Sequence, residues 1–294
     1  MHNEKDINRS GGNENIETEL LLRAIYLKYG YDFSNYSRSS IKRRVRKRLL
    51  ASGMNSISEM QHRLLNDRLF FEELLNDLSI NVTEMFRNPP FYLVLRNRVI
   101  PALAARDHLK IWHCGCSTGE EVYSAAILFQ EEGVYEKTRF YATDFNEKVI
   151  AKAKKGIYPL NIMKSYTNNY QKSGGTGSFG DYYTAMYNNA IIDSSLKNNV
   201  LFSDHNLVTD SSFGEMDMIV CRNVLIYFSG ELQDRVIRLF NESLVPGGFL
   251  CLGSKESIRF STISSEFEDF NAGHRIYRKK HPDDLRHQEC NTFG

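Results

Sequence analysis

No stretch of this chain approaches the ~18 consecutive apolar residues that a membrane-spanning helix needs. The opening, MHNEKDINRSGGNENIE, is polar and has no apolar core, which speaks against a secretory signal peptide. Charge of one sign is also lacking: Lys+Arg 37 against Asp+Glu 36 leaves no bulk electrostatic case for nucleic acid or a membrane surface. Cysteine is sparse, and four of the five (Cys114, Cys116, Cys221 and Cys251, but not Cys290) sit in or beside apolar, strand-like runs. Such thiols suit a reducing, cytoplasmic setting rather than a disulfide framework. Cys114-x-Cys116 has no second Cys/His pair at ligand spacing, so no metal site is expected. Two nucleotide signatures are missing as well: there is no G-x-G-x-x-G after a strand and no Gly-Lys-Ser/Thr.

What is present is an ordinary globular composition, 41% hydrophobic and 25% charged over 294 residues, enough for one large domain or two modest ones. Residues 1–15 and 281–294 read as disordered tails. Residues 16–80 carry a helical pattern with no strand signal. In it, IETELLLRAIYLKYG ends at Gly30, SRSSIKRRVRKRLLASG runs from a candidate N-cap at Ser40 to Gly53, and Ser56 and Glu59 form a capping box. Residues 81–108 read as a linker. From 109 to 280 strand-like and helix-like runs alternate, which predicts a doubly wound α/β sheet with its ligand at the carboxyl ends of the strands. An interruption at 157–198, rich in Tyr, Asn, Gly and Ser, predicts a small inserted β subdomain with a hairpin turning at Asn188-Asn189.

The stretch WHCGCSTGEEVYS, from Trp112 to Ser124, is a strand, a glycine turn and a helix start that carries Glu120 and Glu121. A pyrophosphate at that helix N-terminus would meet two carboxylates, each costing on the order of 1–4 kcal/mol at ~4 Å. NAD, FAD and ATP are therefore disfavoured. S-adenosylmethionine, which has no phosphate and carries a sulfonium and an ammonium, suits the loop. Glu120 by itself reads as complementing the helix dipole. Asp144 ends the next strand, YATD, where a nucleotide fold places the carboxylate that grips ribose hydroxyls.

NVTEMFR, STGEEVYS, ATDFN, HNL and CRNVLIYF follow one another in this order. With the helical segment in front, the chain resembles the CheR-type family of chemotaxis-receptor glutamate methyltransferases over about residues 18–280. The resemblance implies a Rossmann-like S-adenosylmethionine domain with a small β subdomain, preceded by a small all-helical domain. By matching position it implies that Asn81, Thr83 and Arg87 close over the cofactor. It implies further that Glu121, Asp144, Asn206, Leu207, Arg222 and Asn223 contact the cofactor, and that Tyr227 lies near the transferring methyl together with Arg87. The expected products are S-adenosyl-L-homocysteine and glutamyl methyl esters on chemoreceptor helices. The chain is expected to act as a cytoplasmic monomer that does not bind nucleic acid or insert into a membrane.

The chemistry fits these residue types. Glutamate, whose carboxyl ordinarily titrates near pH ~4.3, is already a nucleophile at neutral pH. The enzyme must orient it, and arginine binds carboxylates bidentately, which singles out Arg87 and Arg222. RNPPFY at 87–92 imitates the Asn-Pro-Pro-aromatic motif of amine methyltransferases, but Pro89 and Pro90 read better as a helix start. In IKRRVRKRLL, Ile41, Val45 and Leu49 predict a buried stripe with Lys42, Arg43, Arg46 and Lys47 outward, a solvated face or a docking surface for an acidic partner. Two other readings compete with the enzyme: a non-catalytic receptor-binding module that keeps the methyltransferase fold, and a nucleic-acid or protein amine methyltransferase.

Overall fold

The structure is a computed structural model that describes residues 3–33, 38–78 and 83–283. The chain divides into two compact units, Met1–Ile80 with Ile226–Gln233, and Asn81–Leu225 with Asp234–Gly294. Among the described residues, no helix is long and apolar enough to cross a membrane.

The first unit is helical: α1 (Asn3–Tyr29), α2 (Arg38–Ser52), α3 (Ile57–Asn66) and α4 (Arg68–Leu78). Apolar residues at helical spacing form its core, with Leu21, Ala24 and Ile25 of α1 packed with Ile57, Met60 and Leu64 of α3 and Phe70, Phe71, Leu74 and Leu75 of α4. Tyr29 stacks on Phe71 at 3.7 Å between ring centroids. The capping box is present: Glu59 N–H donates to Ser56 Oγ at 3.1 Å. The return bond goes one residue further out than expected, from Asn55 N–H to Glu59 Oε2.

Three expectations are corrected in this unit. The first helix does not begin after a disordered tail but reaches back to Asn3. Extending a formed helix costs far less than starting one, and Glu14 ties the extension to α2 through an ion pair with Arg46. Ser40 lies inside α2 rather than capping it. In α2 the fully buried stripe is Ile41 and Val45, with Leu49 half-buried. The segment Ile226–Gln233 also belongs here: Tyr31 bridges Phe228, and Ser229 N–H donates to Gly30 O at 3.1 Å.

The second unit opens with α5 (Pro89–Val94), one π turn (Leu95–Val99) and α6 (Ile100–Leu103). The π turn has a local cause. Pro101 has no N–H, and its ring crowds the carbonyl four residues back, so the helix widens before it and Ile100 N–H reaches Leu95 O. The alternation then follows: β1 (Leu109–Cys114), α7 (Glu120–Glu131), β2 (Thr138–Asp144), α8 (Glu147–Lys155), β3 (Ile157–Pro159), α9 (Met163–Lys172), β4 (Tyr183–Met186), β5 (Asn189–Ile192), β6 (Val200–Asp204), β7 (Met216–Cys221), α10 (Gly230–Ser243), β8 (Leu244–Leu252), β9 (Phe267–Asn271) and β10 (Ile276–Lys279). The main sheet has the order β6-β2-β1-β7-β8-β10-β9. Its first five strands are parallel, and β10 and β9 close it antiparallel. β7 is buried along its whole length, as a parallel strand covered on both faces must be. Strand order reverses at β1, which puts the crevice beside the 115–119 loop.

Residues 83–108 pack into this unit. Met85 and Phe86 are fully buried, and Phe86 sits among Tyr92, Tyr170 and Phe179. The inserted segment is a three-stranded sheet, β3-β5-β4, but it also holds α9, which the sequence pattern did not predict. Met186 pairs with Asn189, so the hairpin turns at Tyr187-Asn188, one residue earlier than expected, with Tyr187 at φ 53°. Edge strand β9 was not anticipated either, and β7 stops at Cys221, before the CRNVLIYF motif turns away. Of the expected tail 281–294, residues 284–294 lie outside the described region.

Candidate functional site

The parallel strands deliver Cys114, Asp144, Asp204, Cys221 and Leu252 to one edge of the sheet. The loop after β1 needs its glycines: a Cβ on Gly115 (φ +66°) would stand 2.5 Å from Val224 Cγ2, and one on Gly119 (φ +93°) 3.0 Å from Ala153 Cβ. The loop is bound to β2 on both sides. Cys116 N–H donates to Thr143 O at 2.9 Å, and Ser117 N–H donates to Asp144 Oδ2 at 3.0 Å. Asn146 N–H donates to Asp144 Oδ1 at 3.0 Å. Asp144 is thus aimed by one backbone donor per oxygen and keeps lone pairs for further donors. Burial pushes its carboxyl up, and the N–H groups of Asn146 and Ser117 pull against that.

The two glutamates of the turn have different surroundings. Glu120 is buried, accepts from Thr118 Oγ1 at 2.7 Å, and has its carboxyl pushed up by burial. Glu121 accepts from Arg222 Nη1 at 2.9 Å, and its Oε1 stands 3.5 Å from His113 Nδ1. Burial raises the Glu121 carboxyl, but His113 and Arg222 outweigh it and hold the group below the usual carboxylate range. Arg222 is itself buried. Its Nη2 donates to Arg87 O at 3.2 Å, and its guanidinium carbon lies 4.0 Å from the Phe91 ring centroid, a cation–π contact. Glu121, Arg222 and the backbone of Arg87 are therefore one connected group.

Asn223 holds φ 63°, a left-handed conformation that Asn tolerates better than most residues. Glu256, which sequence reasoning missed, fixes that turn. It is buried and accepts N–H bonds from Asn223 (3.0 Å), Val224 (2.9 Å) and Gly253 (2.5 Å). In SKES it is one acidic residue among polar neighbours, so no local signal marks it. His113 was missed too. It occupies a strand interior, and beyond the 3.5 Å approach of Nδ1 to Glu121 its ring nitrogens have no hydrogen-bond partner among the described residues. Asn206 follows β6, and its side-chain oxygen accepts Val208 N–H at 3.0 Å, which leaves buried Leu207 as the apolar wall of that corner. His205 N–H joins this corner to Asp144 O at 3.2 Å.

The structure thus gathers Arg87, Glu121, Asp144, Asn206, Leu207, Arg222 and Asn223 along one edge of the second unit. Thr83 is half-buried in the segment leading to Phe86, and Asn81 lies outside the described residues. Tyr227 belongs to the segment that packs with the helical unit, where its carbonyl accepts Asp32 N–H at 2.8 Å. Asn88 of the Asn-Pro-Pro-Phe stretch is exposed and opens α5, while the end of β7 carries Arg222 and Asn223. Cys114 and Cys116 are buried, and among the described residues no His/Cys/Asp/Glu group has metal-holding geometry. On α2, Arg43 is exposed and Lys42 half-buried. Arg46 pairs with Glu14, Lys47 stands 3.6 Å from Asp77, and Arg48 pairs with Glu73 and Asp77. Much of the basic face is therefore neutralised within its own unit.

The edge suits a nucleoside that carries no phosphate and has a cationic end. Asp144 retains acceptor capacity for ribose hydroxyls, and Ser117 Oγ is buried without a partner among the described residues. The charges that line the loop are carboxylates and one guanidinium already committed to Glu121.

Comparison with known proteins gives consistent findings. Residues 81–274 match the family model described as CheR methyltransferase, SAM binding domain, and residues 16–79 match CheR methyltransferase, all-alpha domain. The chain is 52% identical to Cher3 of Pseudomonas putida, named as a candidate methyltransferase, over 91% of this chain and 98% of that protein. It is 31% identical to a chemotaxis protein methyltransferase of Listeria innocua, over 80% of this chain and 88% of that one. It is 29% identical to chemotaxis protein methyltransferase 1 of Pseudomonas aeruginosa, over 74% and 81% respectively.

Proposed function

From the premise that the chain belongs to the CheR methyltransferase family, with S-adenosylmethionine as its cofactor, we propose that it esterifies glutamate side chains on the cytoplasmic helices of chemoreceptors. The observation that carries this reading is the Glu121–Arg222–Arg87 group beside the glycine loop. An anionic and a cationic side chain joined to the Arg87 backbone beside that loop support a site that brings a carboxylate substrate to a sulfonium cofactor.

S-adenosylmethionine supplies an electrophilic methyl on sulfur. Asp144 and the Asn206–Leu207 corner would hold its nucleoside end, and Glu121 would face its cationic end. A glutamate carboxylate needs no deprotonation at neutral pH, so the enzyme's work is alignment and exclusion of water. Arg222 is committed to Glu121 and the Arg87 carbonyl, so its part is to fix the strand-end turn and the Arg87 backbone. The Arg87 side chain then steers the substrate carboxylate. Arg43 and its neighbours on α2 meet the acidic receptor surface. The protein acts in the cytoplasm.

The test is the chemical nature of the product. With radiolabelled S-adenosylmethionine and a membrane extract containing chemoreceptors, the label should appear on receptor bands and be released as methanol by mild alkali. Label that resists alkali would identify a methylated amine and reject the reading.

A further inference from the structure

β8 runs parallel to β7, so the loop that follows it, 253–266, leaves the same sheet edge as the glycine loop and the Arg222–Asn223 turn. Two carboxylates pin this loop. Glu256 binds it to the end of β7 through the N–H groups of Gly253, Asn223 and Val224. Asp234 holds its far side, accepting from Ser261 Oγ at 2.7 Å and Thr262 N–H at 2.8 Å. Ile258 is buried between the pins. Against this rigid frame Phe260 is 96% exposed, more than any other large apolar side chain among the described residues. Lys255 and Arg259 precede it in the same loop, both exposed and neither ion-paired among the described residues. Arg46, Lys47 and Arg48 of α2 differ in having acidic partners within their own unit.

A lone exposed aromatic is ordinary on a mobile loop, where the ring can fold down. Here the backbone is held on both sides and the ring stays exposed. An exposed aromatic in the same loop as two exposed cations fits a helical partner with an apolar stripe between glutamates. We propose that Lys255, Arg259 and Phe260 form a receptor-docking surface at the rim of the methyl-transfer edge, with the glutamate-bearing helix itself as occupant. This rests on the proposed function and adds to it a surface on the catalytic unit.

The experiment uses the full chain, a purified glutamate-bearing cytoplasmic receptor fragment and radiolabelled S-adenosylmethionine, with initial rates followed against fragment concentration. Phe260→Ala should raise KM for the fragment about tenfold, as removal of an interface anchor does, with kcat at saturating fragment nearly unchanged. Lys255→Glu with Arg259→Glu should raise KM more at low salt than at high salt. Affinity for S-adenosylhomocysteine should stay at the wild-type value in both. Variants whose KM matches the wild type, while the wild type methylates the fragment, overturn the surface and leave the function standing. A wild type that leaves the fragment unmethylated removes both the function and this partner. Aromatic and basic side chains can also stack on single-stranded nucleic acid. Loss of oligonucleotide retention on filters in Phe260→Ala, with receptor KM unchanged, would reassign the surface and reject the proposal.

Discussion

The Glu121–Arg222 pair invites a double-mutant cycle. Its two side chains are 20% and 3% exposed, so the guanidinium is fully desolvated while the carboxylate retains a little water. Removing one member of a buried pair typically costs about 3–5 kcal/mol, mostly because the other charge is left stranded. The residual exposure of Glu121 and the nearby His113 imidazole argue for the lower end. Arg222→Met should therefore destabilise by about 3 kcal/mol, and Glu121→Gln by a similar amount, since Arg222 would keep only the Arg87 carbonyl and the Phe91 ring. The double variant, Glu121→Gln with Arg222→Met, strands neither charge and should cost roughly 2 kcal/mol less than the sum of the singles. Urea unfolding near neutral pH, with slopes compared to confirm a common unfolded state, supplies the three differences. Additivity within about 0.5 kcal/mol would mean that the two groups do not act as a pair, and Glu121 would then need another reason to stand at the glycine turn.

Four further outcomes are expected. Asp144→Ala should weaken S-adenosylhomocysteine binding by about 1–3 kcal/mol through lost charge-assisted bonds, read by isothermal titration; unchanged affinity would refute the placement of the ribose. Glu256→Gln should lower stability by about 2 kcal/mol, because one amide oxygen replaces a carboxylate that serves three N–H donors; a wild-type melting curve would count against the clamp. Arg87→Ala should cut turnover about a hundredfold with receptor KM little changed, as for a contact made in the transition state. Glu131 is pushed up by burial, but Tyr170, Arg96 and Tyr182 together hold its carboxyl below the usual range. A depressed carboxyl adds stability above its unfolded value and loses it as pH falls through the folded one. The advantage of wild type over Glu131→Gln should thus be full at neutral pH and shrink on acidification, as acid-titration melts will show.

The parallel sheet was legible in the sequence because its signals are local. Apolar runs such as MDMIVC are buried on both faces, and strand, glycine turn and helix follow within WHCGCSTGEEVYS. Asp144 could be placed from sequence for the same reason, since a residue at a strand end is positioned by the strand. The helices of the first unit were readable, but the starts of α1 and α2 were not, and the Glu14–Arg46 contact that joins those two helices links residues far apart in the chain. Tertiary structure decided what pairing across the chain creates. Glu256 looks like any surface acid until β8 lies beside β7 and three N–H groups converge on it. The two glutamates of the turn part ways for the same reason: Glu121 finds Arg222 across the sheet edge, while Glu120 turns inward to Thr118. Local periodicity determines which residues form strands and helices. Only the packed chain determines which buried charges meet, because their partners are chosen by topology and not by neighbourhood in sequence.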